Sequence, residues 1–125
     1  MIKGTGIDLV NINRIEHMIT KWQERFLDRV FTKREQIYCE QYSDAACHFA
    51  ARFAAKEAVL KMLAANLEQL NWQEIEIINN DSGKPRVKLR GKAQKLLKAK
   101  KIKQIHLSLS HEKDYAAAQV IGEGS

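Results

Sequence analysis

The sequence predicts an α+β domain in which a curled, mainly antiparallel sheet packs on one long helix. Three observations carry that prediction. Residues Ala45–Ala65, AACHFAARFAAKEAVLKMLAA, are rich in alanine, lack Gly and Pro, and follow Ser43-Asp44, either of which caps a helix start. Roughly six helical turns fit in that stretch. Short segments with strand-like alternation lie at both ends of the chain, at Ile2–Val10, Gln104–Ser110 and Tyr115–Ile121. The resulting order is strand, short helices, long helix, two strands, helix, two strands, and only the long helix is long enough to span the sheet.

The totals bound the class. The chain has 125 residues, enough for one domain with a sizeable core and too few for two. With 45% hydrophobic and 29% charged residues it reads as globular. A formal net charge of +6 points to an acidic partner: nucleic acid, a phosphorylated ligand or an acidic protein. Cys39 and Cys47 form neither a CxxC pair nor a zinc pattern and read as free thiols of a reducing compartment. No apolar run reaches membrane-spanning length, and MIKGTGIDLV holds no long apolar segment of the secretory kind. The expectation is a cytoplasmic enzyme or binding protein folded over residues 1–121, with a flexible tail at 122–125.

Along the first strand, Gly4, Gly6, Asp8 and Val10 share one face and Thr5, Ile7 and Leu9 the other. The two glycines leave the Asp8 face nearly bare, so either a ligand, for example at a seam between subunits, or another backbone approaches there. Asn11–Arg34 reads as one or two short helices capped by Asn11 or Asn13, with Ile15, Met18, Ile19 and Trp22 spaced for burial. Arg14, Lys21, Arg25, Arg29, Lys33 and Arg34 lie on its exposed positions with Phe26, Val30 and Phe31 interleaved, which suits an acidic helix or a phosphate backbone. Thr32 and Glu35 form a capping box for a helix with Ile37 and Tyr38 turned inward.

Asn66 is placed to end the long helix. Trp72–Ile78 alternates Ile75 and Ile77 against Glu74 and Glu76, a strand with its acids outward. Asn79–Pro85 is a dense turn leading to a strand at Arg86–Leu89. From Lys84 to Lys103 there are ten basic residues and no acidic one, and Lys92–Lys101 reads as a helix with Ala93, Leu96 and Leu97 inward.

Phe49, Phe53, Glu57 and Lys61 recur every fourth position of the long helix and share one side of it. By spacing alone Glu57 and Lys61 are an ordinary surface pair worth roughly 0.3–0.5 kcal/mol. With Asp8 they are equally half of a site for Mg2+ and a phosphate, since magnesium is often held by one or two carboxylates plus substrate oxygens. Ser110 and His111 are adjacent on a strand and point to opposite faces, and no G-x-S-x-G elbow exists, which argues against a serine hydrolase. A strand-end His111 can instead bind a phosphate. His17, His48 and His106 show no metal spacing and read as structural or exposed. Gly83-Lys84-Pro85 is not a Walker loop, but a turn with free backbone N–H groups beside a lysine suits a nucleotide.

Several segments in order resemble one family. They are G-I-D-L-V at Gly6–Val10, F-T-K-R-E at Phe31–Glu35, R-F-A-A-K-E-A-V-L-K at Arg52–Lys61, W-Q-E-I-E-I at Trp72–Ile77, N-D-S-G-K-P at Asn80–Pro85, H-L-S-L-S-H-E at His106–Glu112 and Y-A-A-A-Q-V-I at Tyr115–Ile121. Together they resemble the small bacterial holo-acyl-carrier-protein synthases, a type of 4′-phosphopantetheinyl transferase. That resemblance implies Mg2+-dependent transfer of 4′-phosphopantetheine from coenzyme A to a serine of apo acyl carrier protein, in fatty acid biosynthesis. It assigns the metal to Asp8 and Glu57, and coenzyme A to Arg52, Lys61, Gly83, Lys84, Pro85, Ser110 and His111. The acidic carrier falls to Arg14, Arg25, Phe26 and Arg29. It also implies a cytoplasmic homotrimer with shared active sites and no nucleic-acid or membrane partner. Glu57, directly or through water on the metal, is the first choice of general base and His111 the second. The family often has a glycine-containing turn after its lysine; Met62–Asn66 has none, which predicts a longer helix here. The competing readings are a basic RNA-binding module and a metal-dependent phosphohydrolase of a nucleotide cofactor.

Overall fold

The computed structural model describes residues 1–125. Strand β1 (Ile2–Asn11) leads through helices α1 (Ile12–Trp22), α2 (Glu24–Val30) and α3 (Lys33–Glu40) to the long helix α4 (Ala45–Leu63). A single 3₁₀ turn at Trp72–Glu74 precedes β2 (Ile75–Asn79) and β3 (Pro85–Leu89), and α5 (Gly91–Ala99), β4 (Ile102–His111) and β5 (Tyr115–Gly124) complete the chain. The predicted fold class and element order hold. The sheet, however, is in two pieces: an antiparallel β1-β5-β4 sheet and a separate β2-β3 hairpin that packs beside β4.

Helix α4 is the centre of the core. Ala50, Ala54, Ala55, Ala58, Val59 and Leu63 have no exposed surface, and β1 and β5 pack directly along the helix. The bare glycine face of β1 is explained here. A Cβ at Gly6 would overlap the carbonyl oxygen of Ala58, and one at Gly4 that of Met62. The close approach at Gly4 and Gly6 is therefore helix backbone, and any ligand on this face is confined to the Asp8 end of the strand. Phe31 anchors the other side of the core, edge-on to Phe49 at 4.9 Å and to Phe26 at 6.0 Å.

A buried polar clamp joins the helices to the hairpin. Lys56 has no exposed surface; its ammonium donates to the carbonyls of Val30 (2.6 Å) and Trp72 (3.2 Å) and pairs with Glu35 Oε1 at 2.6 Å. Glu35 completes the predicted capping box with Thr32 and also accepts from the Ile77 N–H at 2.8 Å. Burial pushes the Lys56 ammonium below its ordinary pKa, and Glu35 partly opposes that. Glu76, expected outward, is also buried; it accepts from Thr32 Oγ1 at 2.5 Å and from Arg90 at 2.8 Å.

Other expectations change in the same way. On α3 the inward residues are Glu35, Gln36 and Cys39, whereas Ile37 is 70% exposed and Tyr38 only half-buried. The polar groups of Glu35 have partners inside, and that sets the face. Trp22 is exposed because α1 ends there, at Gln23 with φ 51°. The tail expected to fray is strand through Gly124, where Met1 exchanges two backbone hydrogen bonds with Gly124. Both cysteines are free thiols; Cys39 is buried, which pushes its thiol up to about 12.

The long helix stops at Leu63, before the predicted end. Ala64 takes the left-handed conformation (φ 53°, ψ 41°), and the Ala65 N–H returns to the Leu60 carbonyl at 2.9 Å. This turn normally uses glycine, because a Cβ strains the left-handed region. The exchange Ala64→Gly is expected to raise stability by about 0.5–1 kcal/mol, read as a higher urea midpoint at unchanged slope. A lower midpoint would show that Ala64 is not strained.

Candidate active site

The packing of β1 on α4 brings Asp8, Glu57 and Lys61 together from opposite ends of the sequence. Along the α4 stripe exposure rises from buried Phe49 through half-buried Phe53 and Glu57 to exposed Lys61. Lys61 makes no ion pair with Glu57. It reaches across to β1, where its ammonium donates to the Ile7 carbonyl at 2.9 Å and to Asp8 Oδ1 at 3.2 Å. The intrahelical surface pair is thus replaced by a contact between elements. Partial burial raises the Glu57 pKa, and the Asp8 charge raises it further, against the opposing pull of Lys61 and Arg14. Two carboxylates that repel one another, with hard oxygen donors at a half-open position, suit a divalent cation that takes its remaining ligands from a phosphorylated substrate. Asp8, Glu57 and that donor chemistry fit Mg2+.

The residues assigned to a nucleotide form a second cluster around the N-terminal half of α4. Arg52 is buried; its guanidinium lies 4.0 Å over the Tyr38 ring, donates to Asn79 Oδ1 at 2.5 Å, and leaves its Nε–H without a partner. Asn79 in turn donates to the Gly83 carbonyl at 2.8 Å, so Arg52 and the Gly83–Pro85 turn are joined through one side chain. The free N–H groups expected in that turn are not free. Those of Ser82 and Lys84 donate to Asn80 Oδ1 at 3.1 and 2.9 Å, and that of Gly83 to the Asn80 carbonyl at 2.9 Å. An Asx-type turn consumes its own donors, so the positive group this turn offers is the Lys84 ammonium rather than its backbone N–H groups.

Ser110 and His111 do diverge as predicted, with His111 on the α4 side. In the register of the sheet Asp8 pairs with Ala118 and Ala118 with Leu109, while Val10 pairs with Ala116 and Ala116 with His111. His111 is therefore two strands across and two residues along from Asp8, about 12 Å between Cα positions by strand geometry. Its ring neighbour is His48, at 5.9 Å between centroids.

Two surfaces flank these clusters. Met18, Trp22, Arg25, Phe26 and Arg29 line an open groove of about 390 Å³ on α1 and α2, which places Phe26 as the floor and the two arginines as the rim. Arg14, on α1, is near enough for its charge to lower the Glu57 pKa slightly against the raising effects of burial and Asp8. On the far side of the β1-β5-β4 sheet, Ile7 and Leu9 are 67% and 64% exposed. No helix of the structure is long and apolar enough to cross a membrane.

A family model described as the 4′-phosphopantetheinyl transferase superfamily matches residues 4–120. The chain belongs to that superfamily. It is 46% identical, over 98% of both sequences, to the holo-[acyl-carrier-protein] synthase of Halothermothrix orenii, and 44% identical to that of Geobacter metallireducens over 98% of both. Among solved structures, the holo-[acyl-carrier-protein] synthase of Neisseria meningitidis superposes with a TM-score of 0.89 at 31% identity, covering 98% of this chain and 99% of that one. The Helicobacter pylori enzyme in complex with coenzyme A gives 0.84 at 28% identity, covering 95% and 99%. The chain is accordingly a transferase, and its α+β fold is that of the superfamily.

Sequence reasoning missed four residues of this phosphopantetheinyl transferase: Tyr38, Tyr42, His48 and Asn79. Their signal was weak. His48 and Arg52 are four apart on α4 and so share a face, but the rings they meet come from α3 and its following turn.

The repulsion at Glu57 has a measurable sign. Its pKa is raised in the fold, so its contribution to stability is present below the unfolded carboxylate value and is lost as pH rises through the raised one. Glu57→Gln is therefore expected to stabilise the metal-free protein slightly at neutral pH, read as a higher melting temperature, with the gain vanishing in acid. A destabilised Glu57→Gln at neutral pH would refute the raised Glu57 pKa.

Proposed function

We propose that this transferase moves the 4′-phosphopantetheine group of coenzyme A onto a serine of an apo acyl carrier protein, with Mg2+ as its metal. The second product is adenosine 3′,5′-bisphosphate, and the reaction serves fatty acid biosynthesis in the cytoplasm. The observation that carries this reading is the meeting of Asp8, Glu57 and Lys61. The names of the full-length relatives support the carrier, and the coenzyme A complex of the Helicobacter pylori relative supports the donor.

The carrier serine oxygen forms the new bond to the phosphorus that bears pantetheine, and the bond from that phosphorus to the adenosine bisphosphate oxygen breaks. Such a transfer needs positioning and charge neutralisation more than covalent help. Mg2+ held by Asp8 and Glu57 supplies that neutralisation at the pyrophosphate. Lys61, on a flexible stem that already reaches Asp8, adds a cation at the same place. Glu57, placed beside Asp8 and Lys61, is the group that takes the serine proton. His111, two strands across from Asp8, is the second choice of base. Arg52, with its unpartnered Nε–H, and Lys84 hold phosphate at the nucleotide end. Gly83, Pro85 and Ser110 frame that end. Arg14, Arg25 and Arg29 receive the acidic carrier, with Phe26 at the bottom of the groove.

The decisive assay incubates the protein with coenzyme A, Mg2+ and an apo carrier, and weighs the carrier intact. A gain of one phosphopantetheine is expected, lost with chelator and reduced at least roughly 100-fold in Glu57→Ala. Arg29→Ala should raise KM for the carrier, and the difference from wild type should shrink as salt rises. No mass gain across several acidic carriers would overturn the reading. Nucleotide release without an acceptor would favour the phosphohydrolase instead, and RNA binding that survives Asp8→Ala would favour the RNA module.

The proposal includes a homotrimer with shared active sites, supported by the exposed Ile7 and Leu9 on an otherwise uncovered sheet face. Ile7→Glu is expected to shift the protein to monomers in analytical ultracentrifugation and to remove activity together with assembly. Monomers that keep full activity would contradict sharing.

A further inference from the structure

We propose that His48 is a positioning residue for His111, holding that imidazole on the α4 face of the sheet beside the nucleotide end of the site. The inference rests on the proposed function for its substrate and on the ring geometry for everything else. His111 is the last residue of β4 and is exposed, so its side chain has little of its own to hold it. What it has is one ring against it: His48 meets it edge-on at 5.9 Å and 63°.

His48 is itself held from several sides. It stacks on Tyr42 with centroids 3.9 Å apart and planes within 17°. Its Nε2 lies 3.5 Å from Asp44 Oδ1, one helical turn earlier. Tyr42 packs edge-on against Tyr38 at 5.4 Å and donates its hydroxyl to that of Tyr38 at 3.3 Å, and Tyr38 carries the Arg52 guanidinium on its face. A continuous ladder therefore runs from Arg52 through Tyr38, Tyr42 and His48 to His111. It begins and ends on groups suited to an anion.

The charged groups around His48 fit a neutral spacer. Burial lowers its pKa, Asp44 opposes that, and His111 and Arg52 lower it further. A neutral imidazole can pack against His111 without repelling it or competing for the ligand. Ordinary surface packing of aromatic rings predicts something different: loss of stability on truncation, with the order of His111 and substrate binding unmoved.

Three proteins separate the two, namely the wild type, His48→Ala and His48→Phe, the last keeping a ring of similar shape. Three-bond couplings in NMR report the χ1 rotamer of His111 in the free protein and need no substrate. One rotamer is expected in wild type and His48→Phe, and averaging in His48→Ala. KM for coenzyme A should rise roughly three- to tenfold in His48→Ala at little change in kcat, and return in His48→Phe. A His111 that keeps one rotamer in a folded His48→Ala overturns the proposal, as does averaging with KM unchanged. Circular dichroism melting confirms that His48→Ala is folded before either reading is made. Should the wild type transfer nothing to any carrier while the rotamer results hold, the proposed function fails and the positioning of His111 by His48 stands.

Discussion

The contact of the β1 backbone with the α4 backbone is the constraint on which the rest depends. Gly4 and Gly6 have no side chain to keep Met62 and Ala58 away, so strand and helix meet at main-chain distance. Alanines at positions 50, 54, 55 and 58 make the same concession from the helix side. This fixes the register of one element on the other. Asp8 then stands one step along from Gly6 on the same face, and Glu57 and Lys61 stand on the turns of α4 that face it. A larger residue at Gly6 would overlap a carbonyl oxygen that cannot move without unwinding the helix.

The buried Lys56–Glu35 pair gives that helix its rotational setting. Lys56 precedes Glu57, and its ammonium is tied to carbonyls from the end of α2 and the start of the 3₁₀ turn. Breaking such a pair leaves an uncompensated buried charge, a loss of about 3–5 kcal/mol. With Lys56 drawn inward, Glu57 is turned about 100° away, toward the rim where Asp8 lies. The result is a half-buried Glu57 whose pKa is raised by its burial and raised further by the nearby Asp8 charge. Structure and chemistry thus share α4, with packing concentrated at Phe49 and charge at Glu57 and Lys61.

The two clusters occupy different stations on one helix. His48 and Glu57 are nine positions apart, roughly 13 Å along the axis. Under the proposed function, Asp8, Glu57 and Lys61 serve the reacting pyrophosphate, while Arg52 serves the phosphate at the nucleotide end. The basic groove on α1 and α2 is joined to the first station through Arg14, whose charge acts on Glu57.

Much of this was legible in the residues themselves. Alternation and helix-forming composition are local properties, so β1, α4, α5 and the last two strands were readable, as was the Thr32–Glu35 box, while the choice of Asn11 over Asn13 as the α1 cap came from the fold. The family motifs placed Asp8, Glu57 and Lys61 in one site because they record a sequence pattern. What the chain alone could not decide was the partner of each polar group. Lys61 was as well suited to Glu57 as to Asp8, the Gly83 turn looked open until Asn80 took its N–H groups, and Glu76 looked outward until Arg90 and Thr32 reached it. The end of α4 at Ala64 is also a tertiary outcome, since no local residue favours a left-handed turn there. Local sequence determines which conformations are cheap; only the packed fold decides which donors and acceptors, far apart in the chain, satisfy one another.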